Sequence, residues 1–216
     1  MRKSKFITLV LIVLLTLLPV VSVTMMYHIT QCKAIEGMAN GYFGDSYTLC
    51  SVDDSIKNRD VVMQAVDDIK ARVALYMTKQ YGKNKVNAIY YNKQFVNFPM
   101  RYGHFFTKEE LKCGKNMAVV GKNLEGKIKE QDGYKYIKVK DEYFRVIGII
   151  GYDSETIIDD YIYISVKQAD GIIDSNLCTL DIWGKETGAE DQFTEELSEN
   201  GISAEERAGE DRTCED

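Results

Sequence analysis

The sequence predicts an α+β domain carried on one N-terminal transmembrane helix. Three observations predict it. A charge-free run extends from Phe6 to Met26 behind a basic start. A helical apolar spacing lies between two strand-like runs over 46–91, and residues 95–165 alternate like strands with no long helix among them.

The first element is the apolar run. Arg2, Lys3 and Lys5 precede it, and its polar side chains are Thr8, Thr16, Ser22 and Thr24. A helix rising about 1.5 Å per residue needs about 20 residues to cross a hydrocarbon core of about 30 Å, so the run is long enough to span. Pro19 falls inside it, which a membrane helix tolerates. The basic flank stays in the cytoplasm, which places everything after the span outside. A cleaved signal peptide is the alternative. Against it, the run ends Val21-Ser22-Val23-Thr24-Met25-Met26, without the small-residue pattern that a signal peptidase needs. The chain then divides into a cytoplasmic start (1–5), a transmembrane helix (6–27), an extracytoplasmic domain (46–200) with a β-rich insertion at about 95–165, and an acidic tail (201–216).

Within the domain, Ser46 to Val52 reads as a strand, and Asp53, Asp54 and Ser55 as turn or cap residues. Val62, Val66, Ile69, Val73, Tyr76 and Gln80 follow at three- and four-residue spacing. With Asp67, Asp68, Lys70 and Arg72 between them, they predict one amphipathic helix over about 58–81, ended by Gly82. Val86 to Tyr91 is a second strand. Thr107 to Glu110 is a capping box for one short turn. Met117 to Val120, Tyr134 to Lys140, Tyr143 to Ile150 and Asp160 to Val166 read as strands, with a turn at Asp141-Glu142. Leu177 to Trp183 is a further strand, Glu190 to Asn200 a helix capped by Gly201, and a weak last strand follows. Tyr27 to Asn40 continues the first helix outward.

Composition narrows the function. The net charge is −6. Residues 186–216 hold twelve acids and two bases, so that stretch carries −10 and the rest +4. No clustered basic face of the kind that holds nucleic acid is present. The five cysteines, at 32, 50, 113, 178 and 214, contain no C-x-x-C pair for a zinc site, and their odd number leaves at least one thiol free or bonded between chains. With two histidines, His28 and His104, a nucleophile–base set has little to build on. The acidic pairs Asp53-Asp54, Asp67-Asp68 and Asp159-Asp160 point their members to different faces, and Asp67-Asp68 suits a solvated one. Tyrosines 134, 136, 143, 152, 161 and 163 cluster in the β-rich stretch, either as half-buried sheet residues or as a stacking surface.

Four blocks carry a family resemblance. Gly103-His-Phe-Phe-Thr-Lys-Glu-Glu110 resembles the G-R-x-F-x-x-x-D/E turn of the MacB-like periplasmic core domain, the extracytoplasmic domain of MacB/FtsX-type ABC transporter permeases. Met117 to Leu124 resembles its V-A-V-I/L-G strand, and Phe144 to Gly151 its F-x-V-I-G-V strand. Asp159 to Ile164 resembles its D-x-x-I/V-Y-I-P strand, with Ser165 in place of the proline. The resemblance covers about 46–200. It implies a porter-type α+β lobe split by a small β lobe, a non-enzymatic role, and a setting in a transport, efflux or mechanotransmission complex. In such permeases the domain sits between membrane helices, and no second apolar span follows here. The expected partners are therefore the lipid bilayer and, in trans, a multi-span permease with an ABC ATPase. A stand-alone single-pass sensor or binding module is the alternative. No catalytic, cofactor-binding or metal residues and no cofactor are expected. Gly121 to Ile128 nearly spells a phosphate-binding P-loop, but Ile128 lacks the hydroxyl that holds Mg²⁺, so no nucleotide is expected.

Overall fold

The computed structural model describes residues 15–26, 44, 46–52, 58–93, 98–183 and 188–207. Residues 15–26 form a helix, α1. The expected continuation over 27–40 and the turn at 53–55 fall outside the described residues, as does the start of the expected span over 6–27. Among the described residues no helix is long and apolar enough to cross a membrane. The described part of α1 would reach about 18 Å at about 1.5 Å per residue. Its apolar side chains, Leu15, Leu17, Leu18, Val20, Val21, Val23, Met25 and Met26, are all between 52% and 73% exposed.

The domain is one continuous mixed sheet. Its strands are β1 (Ser46–Val52), β2 (Arg72–Tyr81), β3 (Asn84–Tyr91), β4 (Met100–Gly103), β5 (Met117–Gly121), β6 (Lys129–Gln131), β7 (Tyr134–Val139), β8 (Glu142–Ile150), β9 (Tyr161–Ser165), β10 (Leu177–Trp183) and β11 (Ala204–Arg207). The order across the sheet is β11-β1-β10-β2-β3-β9-β5-β8-β7-β6, with β4 paired to β8. The pairs β3/β9 and β5/β8 are parallel and the others antiparallel. Residues 95–165 therefore extend the same sheet through β3/β9. Two helices, α2 (Arg59–Asp68) and α4 (Ala189–Glu199), lie side by side against it, with Val62, Met63 and Val66 of one and Phe193 and Leu197 of the other buried. Between them, the Lys70 N–H donates to Gln192 Oε1 at 3.2 Å.

One expectation is overturned here. The single helix over 58–81 is two elements: α2 ends at Asp68, Ile69 is extended, and 72–81 is β2. The reason lies in β2's position. It is flanked by β10 and β3, and Val73 to Met77 are buried without a break. A strand covered on both faces has no period-2 alternation, so its apolar residues extended the three-and-four spacing of the helix before it. Gly82, with φ 60°, opens the two-residue turn of the β2/β3 hairpin rather than capping a helix.

Smaller differences have local causes. The β7/β8 turn is Lys140-Asp141, one residue earlier than expected. β6 was not anticipated, although Asp132-Gly133, both at positive φ, is the favoured loop of a two-residue hairpin. Helix α3 (Lys108–Lys112) does carry the capping box: Thr107 Oγ1 accepts the Glu110 N–H at 3.2 Å, and Glu110 Oε2 accepts the Thr107 N–H at 2.9 Å. Beyond Gly201, β11 pairs antiparallel with β1.

Candidate interaction surface

The α2–β2 corner leaves backbone groups that no regular ladder satisfies. Buried Asn92, just past β3, supplies their partners. Its Nδ2 donates to the carbonyls of Ile69 and Ala71 at 2.9 and 2.6 Å, and its Oδ1 accepts the Val73 N–H at 3.0 Å. On the same side, Asp67 does not face solvent as a helix-surface residue would. It lies 2.7 Å from both Lys108 Nζ and Lys112 Nζ and accepts from Tyr90 Oη at 2.9 Å, tying α2 to α3. Burial pushes the Asp67 carboxyl up, but the hydrogen bonds from Lys108, Lys112 and Tyr90 outweigh it and hold the carboxyl below its ordinary value. Burial, with Asp67 beside it, raises the Tyr90 hydroxyl, so it stays a donor.

The near P-loop has a different geometry from a phosphate cradle. After Gly121 the chain turns into a 3-10 helix over Lys122–Lys127, and Lys127 Nζ donates to Asn84 Oδ1 at 3.0 Å. A Cβ at Gly121 would meet the Asp159 carbonyl oxygen well under 3.0 Å, so this glycine serves a close backbone approach. Asp159 is fully buried. Its Oδ2 accepts the Thr156 N–H at 2.6 Å and lies 3.2 Å from Lys122 Nζ, which also donates to the carbonyls of Tyr152 and Ser154. Lys122 and Asp159 thus brace the loop before β9 against the end of β5. Gly103, at φ 66°, makes a second close approach, to the Ile147 carbonyl. Ser165 is buried, donates from Oγ to the Leu111 carbonyl at 2.5 Å and accepts the Lys167 N–H, so it ties β9 to α3.

The tyrosines divide by face. Tyr161 and Tyr163 are buried in β9, with Phe105 against Tyr163. Tyr134 and Tyr143 are about half exposed, and so is Tyr102 of β4. Cations lie over two of these rings: Lys135 Nζ is 4.1 Å from the centre of Tyr102, and Arg145 Cζ is 4.5 Å from that of Tyr134. Across β7/β8, Tyr136 is opposite Arg145 and Lys138 opposite Tyr143. Because β4 and β7 both pair with β8, the result is a Tyr/Lys/Arg surface at the β6 end of the sheet. Tyr102 was not legible as part of it, since a four-residue strand carries no period. His104 Nε2 is engaged with Glu110 Oε1 at 3.0 Å, and among the described residues no three His, Cys, Asp or Glu side chains come together as a metal would need.

A mixed sheet with two helices on it, a helix of exposed apolar side chains ahead of it in the chain and an aromatic–basic surface at one end together make up an α+β domain. Residues 9–199 match the family model described as the MacB-like periplasmic core domain, and the chain belongs to that family. Among solved structures, the periplasmic region of MacB from Actinobacillus actinomycetemcomitans is similar: the TM-score is 0.47 and the identity 13%, over 79% of this chain and 92% of that one. No curated protein matches the chain. The four resembling blocks include Gly103, Gly121, Asp159 and Glu110, which are the close approaches, the buried brace and the capping box described above.

Proposed function

We propose that this chain is a membrane-held, extracytoplasmic, non-enzymatic component of an ABC-transporter-like assembly, working with a multi-span permease and an ATPase. The observation that carries the reading is α1. Its apolar side chains are exposed along its described length, and it lies within the segment that matches this family. Apolar surface of that extent is stable against lipid or a packed helix and not against water. The basic residues Arg2, Lys3 and Lys5 support an N-inside orientation with the domain outside. One apolar helix has no interior to line a route across the bilayer, so a transport pathway needs further helices beside it. The Tyr102/Tyr134/Tyr143 surface is the place for cargo or partner contact.

The test is affinity purification of the full chain from its own membranes in mild detergent, with protease treatment of spheroplasts in parallel. The expected result is removal of the domain by external protease and co-purification of a multi-span protein with an ATPase. Recovery of the chain alone, with the domain still protease-accessible, would instead establish a single-pass binding module.

A further inference from the structure

We infer that the Tyr/Lys/Arg face of one copy of this chain docks on helix α4 of a second copy, joining the two domains head to tail. The inference rests on the reading of that face as a contact surface, and it names the partner. Opposed residues of a sheet share a face, so the register sorts the side chains of β6, β7 and β8. Ile137, Val139 and Phe144 are buried on the core side, and Glu130 and Glu142 share their parity, opposite Lys135 and Val139. The outward parity holds Lys129, Lys138 and Arg145 with Tyr134, Tyr136 and Tyr143, and no carboxylate. All three cations are exposed. Lys138 reaches Asp141 at 3.8 Å, but among the described residues no carboxylate pairs with Lys129 or Arg145. Arg145 lies over the Tyr134 ring at 4.5 Å, which holds the guanidinium in place and leaves its N–H groups available. In a chain of net charge −6, this face is set up for an anionic surface. β6 itself is short and charged, which discourages strand addition at the edge, so the contact uses the face.

The complementary surface is on the same molecule. Helix α4, Ala-Glu-Asp-Gln-Phe-Thr-Glu-Glu-Leu-Ser-Glu, carries five carboxylates and no base. Glu190 and Asp191, in its first turn, complement the positive end of the helix dipole. Glu195, Glu196 and Glu199 lie toward the negative end, and no basic residue stands in the last turn. Asp191, Glu195 and Glu199 are exposed and follow one another at four-residue spacing, so like charges stack along a single ridge. Among the described residues no cation pairs with them. Cations from outside the copy compensate this ridge. Asp191 and Glu199 are separated by about 12 Å along the helix. Lys129 and Arg145 stand on one register row, either side of Tyr136 and two strand spacings apart, about 10 Å. A helix laid across the strands therefore brings both ends of its acidic ridge to a cation, with Glu195 above Tyr136. α4 packs on α2 and β11, at the β11 end of the sheet, and β6 closes the other end, so the contact joins two molecules. Such a contact is heterologous and propagates as a row or a ring. Copies anchored in one bilayer share an orientation and a high local concentration, which favours a charge-driven contact of modest strength.

The test co-expresses two differently tagged full chains in their own membranes and recovers one through the other's tag in mild detergent. The face variant carries Lys129→Glu with Arg145→Glu, and the helix variant Glu195→Lys with Glu199→Lys. All four sites are exposed or half-buried, and melts of each purified variant check folding; the helix variant should melt above wild type, since it puts cations at the helix C-terminus. Wild type should recover wild type, less so as salt is added. Recovery of the face variant by itself, and of the helix variant by itself, should fall at least ~10-fold. The face variant with the helix variant should recover as wild type does, because reversed face meets reversed helix and the two unaltered surfaces meet each other. No recovery between wild-type copies, equal recovery in every combination, or no restoration in the mixed pair overturns the inference. Recovery of a different protein through the wild-type chain, lost in the face variant and without self-recovery, overturns the second copy as occupant and leaves the contact surface standing. A face variant that recovers everything wild type does overturns both.

Discussion

Asn92→Ala isolates the corner that the amphipathic spacing concealed. The wild-type side chain satisfies three backbone groups: the carbonyls of Ile69 and Ala71, and the Val73 N–H. Asn92 is 7% exposed, so water has poor access to replace it. A buried polar group left without a partner costs about 1–3 kcal/mol, and three groups with partial relaxation put the loss at about 3–4 kcal/mol. For a chain of this size each kcal/mol moves Tm by about 2–4 °C, so a fall of about 10 °C is expected. The assay is a thermal melt of the full chain in detergent followed by the fluorescence of its single tryptophan. Trp183 is well placed to report, since it lies opposite Arg72 at the start of β2. Asn92→Asp keeps the acceptor but loses both donors, and should be destabilised as well. Asn123→Ala, at an exposed site, should change stability by less than about 0.5 kcal/mol. If Asn92→Ala melts within about 3 °C of wild type, the corner is satisfied by other means and the reasoning fails.

The remaining predictions use other contacts. The Asp67 carboxyl is depressed in the folded state, so its contribution is present above the unfolded value of about 3.9 and is lost as pH falls through the folded one. Melts from neutral pH down to about 3 should therefore show a flatter acid decline for Asp67→Asn than for wild type, and parallel curves would refute the clamp. Gly121→Ala, whose new Cβ meets the Asp159 carbonyl, should cost about 2–3 kcal/mol or prevent folding. Gly126→Ala has nothing within 4 Å and should melt as wild type does. Lys122→Ala strips a buried carboxylate of its cation and should cost about 3–5 kcal/mol, read from the same melts. Tyr102→Ala with Tyr134→Ala should shift Tm by only a few degrees, about 1 kcal/mol for the two ring–cation contacts, yet reduce recovery of any partner. Unchanged recovery would remove this surface from the proposal.

Much of the fold was legible because it is written locally. Seven consecutive residues of strand pattern mark β1 and β10, and Thr107 with Glu110 announces α3. Gly201 accepts its role at the end of α4 through the Ile202 N–H to the Leu197 carbonyl. The resembling blocks were readable for a related reason: each is a short segment whose glycine or carboxylate answers a requirement of its own backbone or of one neighbour. The misreading of 69–81 marks the limit. Val73 and Tyr76 fit a helix by spacing, and only the arrival of β10 and β3 on either side makes extended backbone the better state.

The sequence by itself determined the apolar run at 6–26, the strand and helix signals, and the α+β class, because periodicity, caps and turns depend on neighbours a few residues apart. Tertiary structure alone decided that residues 95–165 continue one sheet, that Asp67 faces Lys108 and Lys112, that Lys122 meets Asp159, and that Cys50 stands opposite Cys178. Those pairings join residues far apart in the chain. They follow from which strands hydrogen-bond to which, and that choice is made by the burial of the whole sheet rather than by any local pattern.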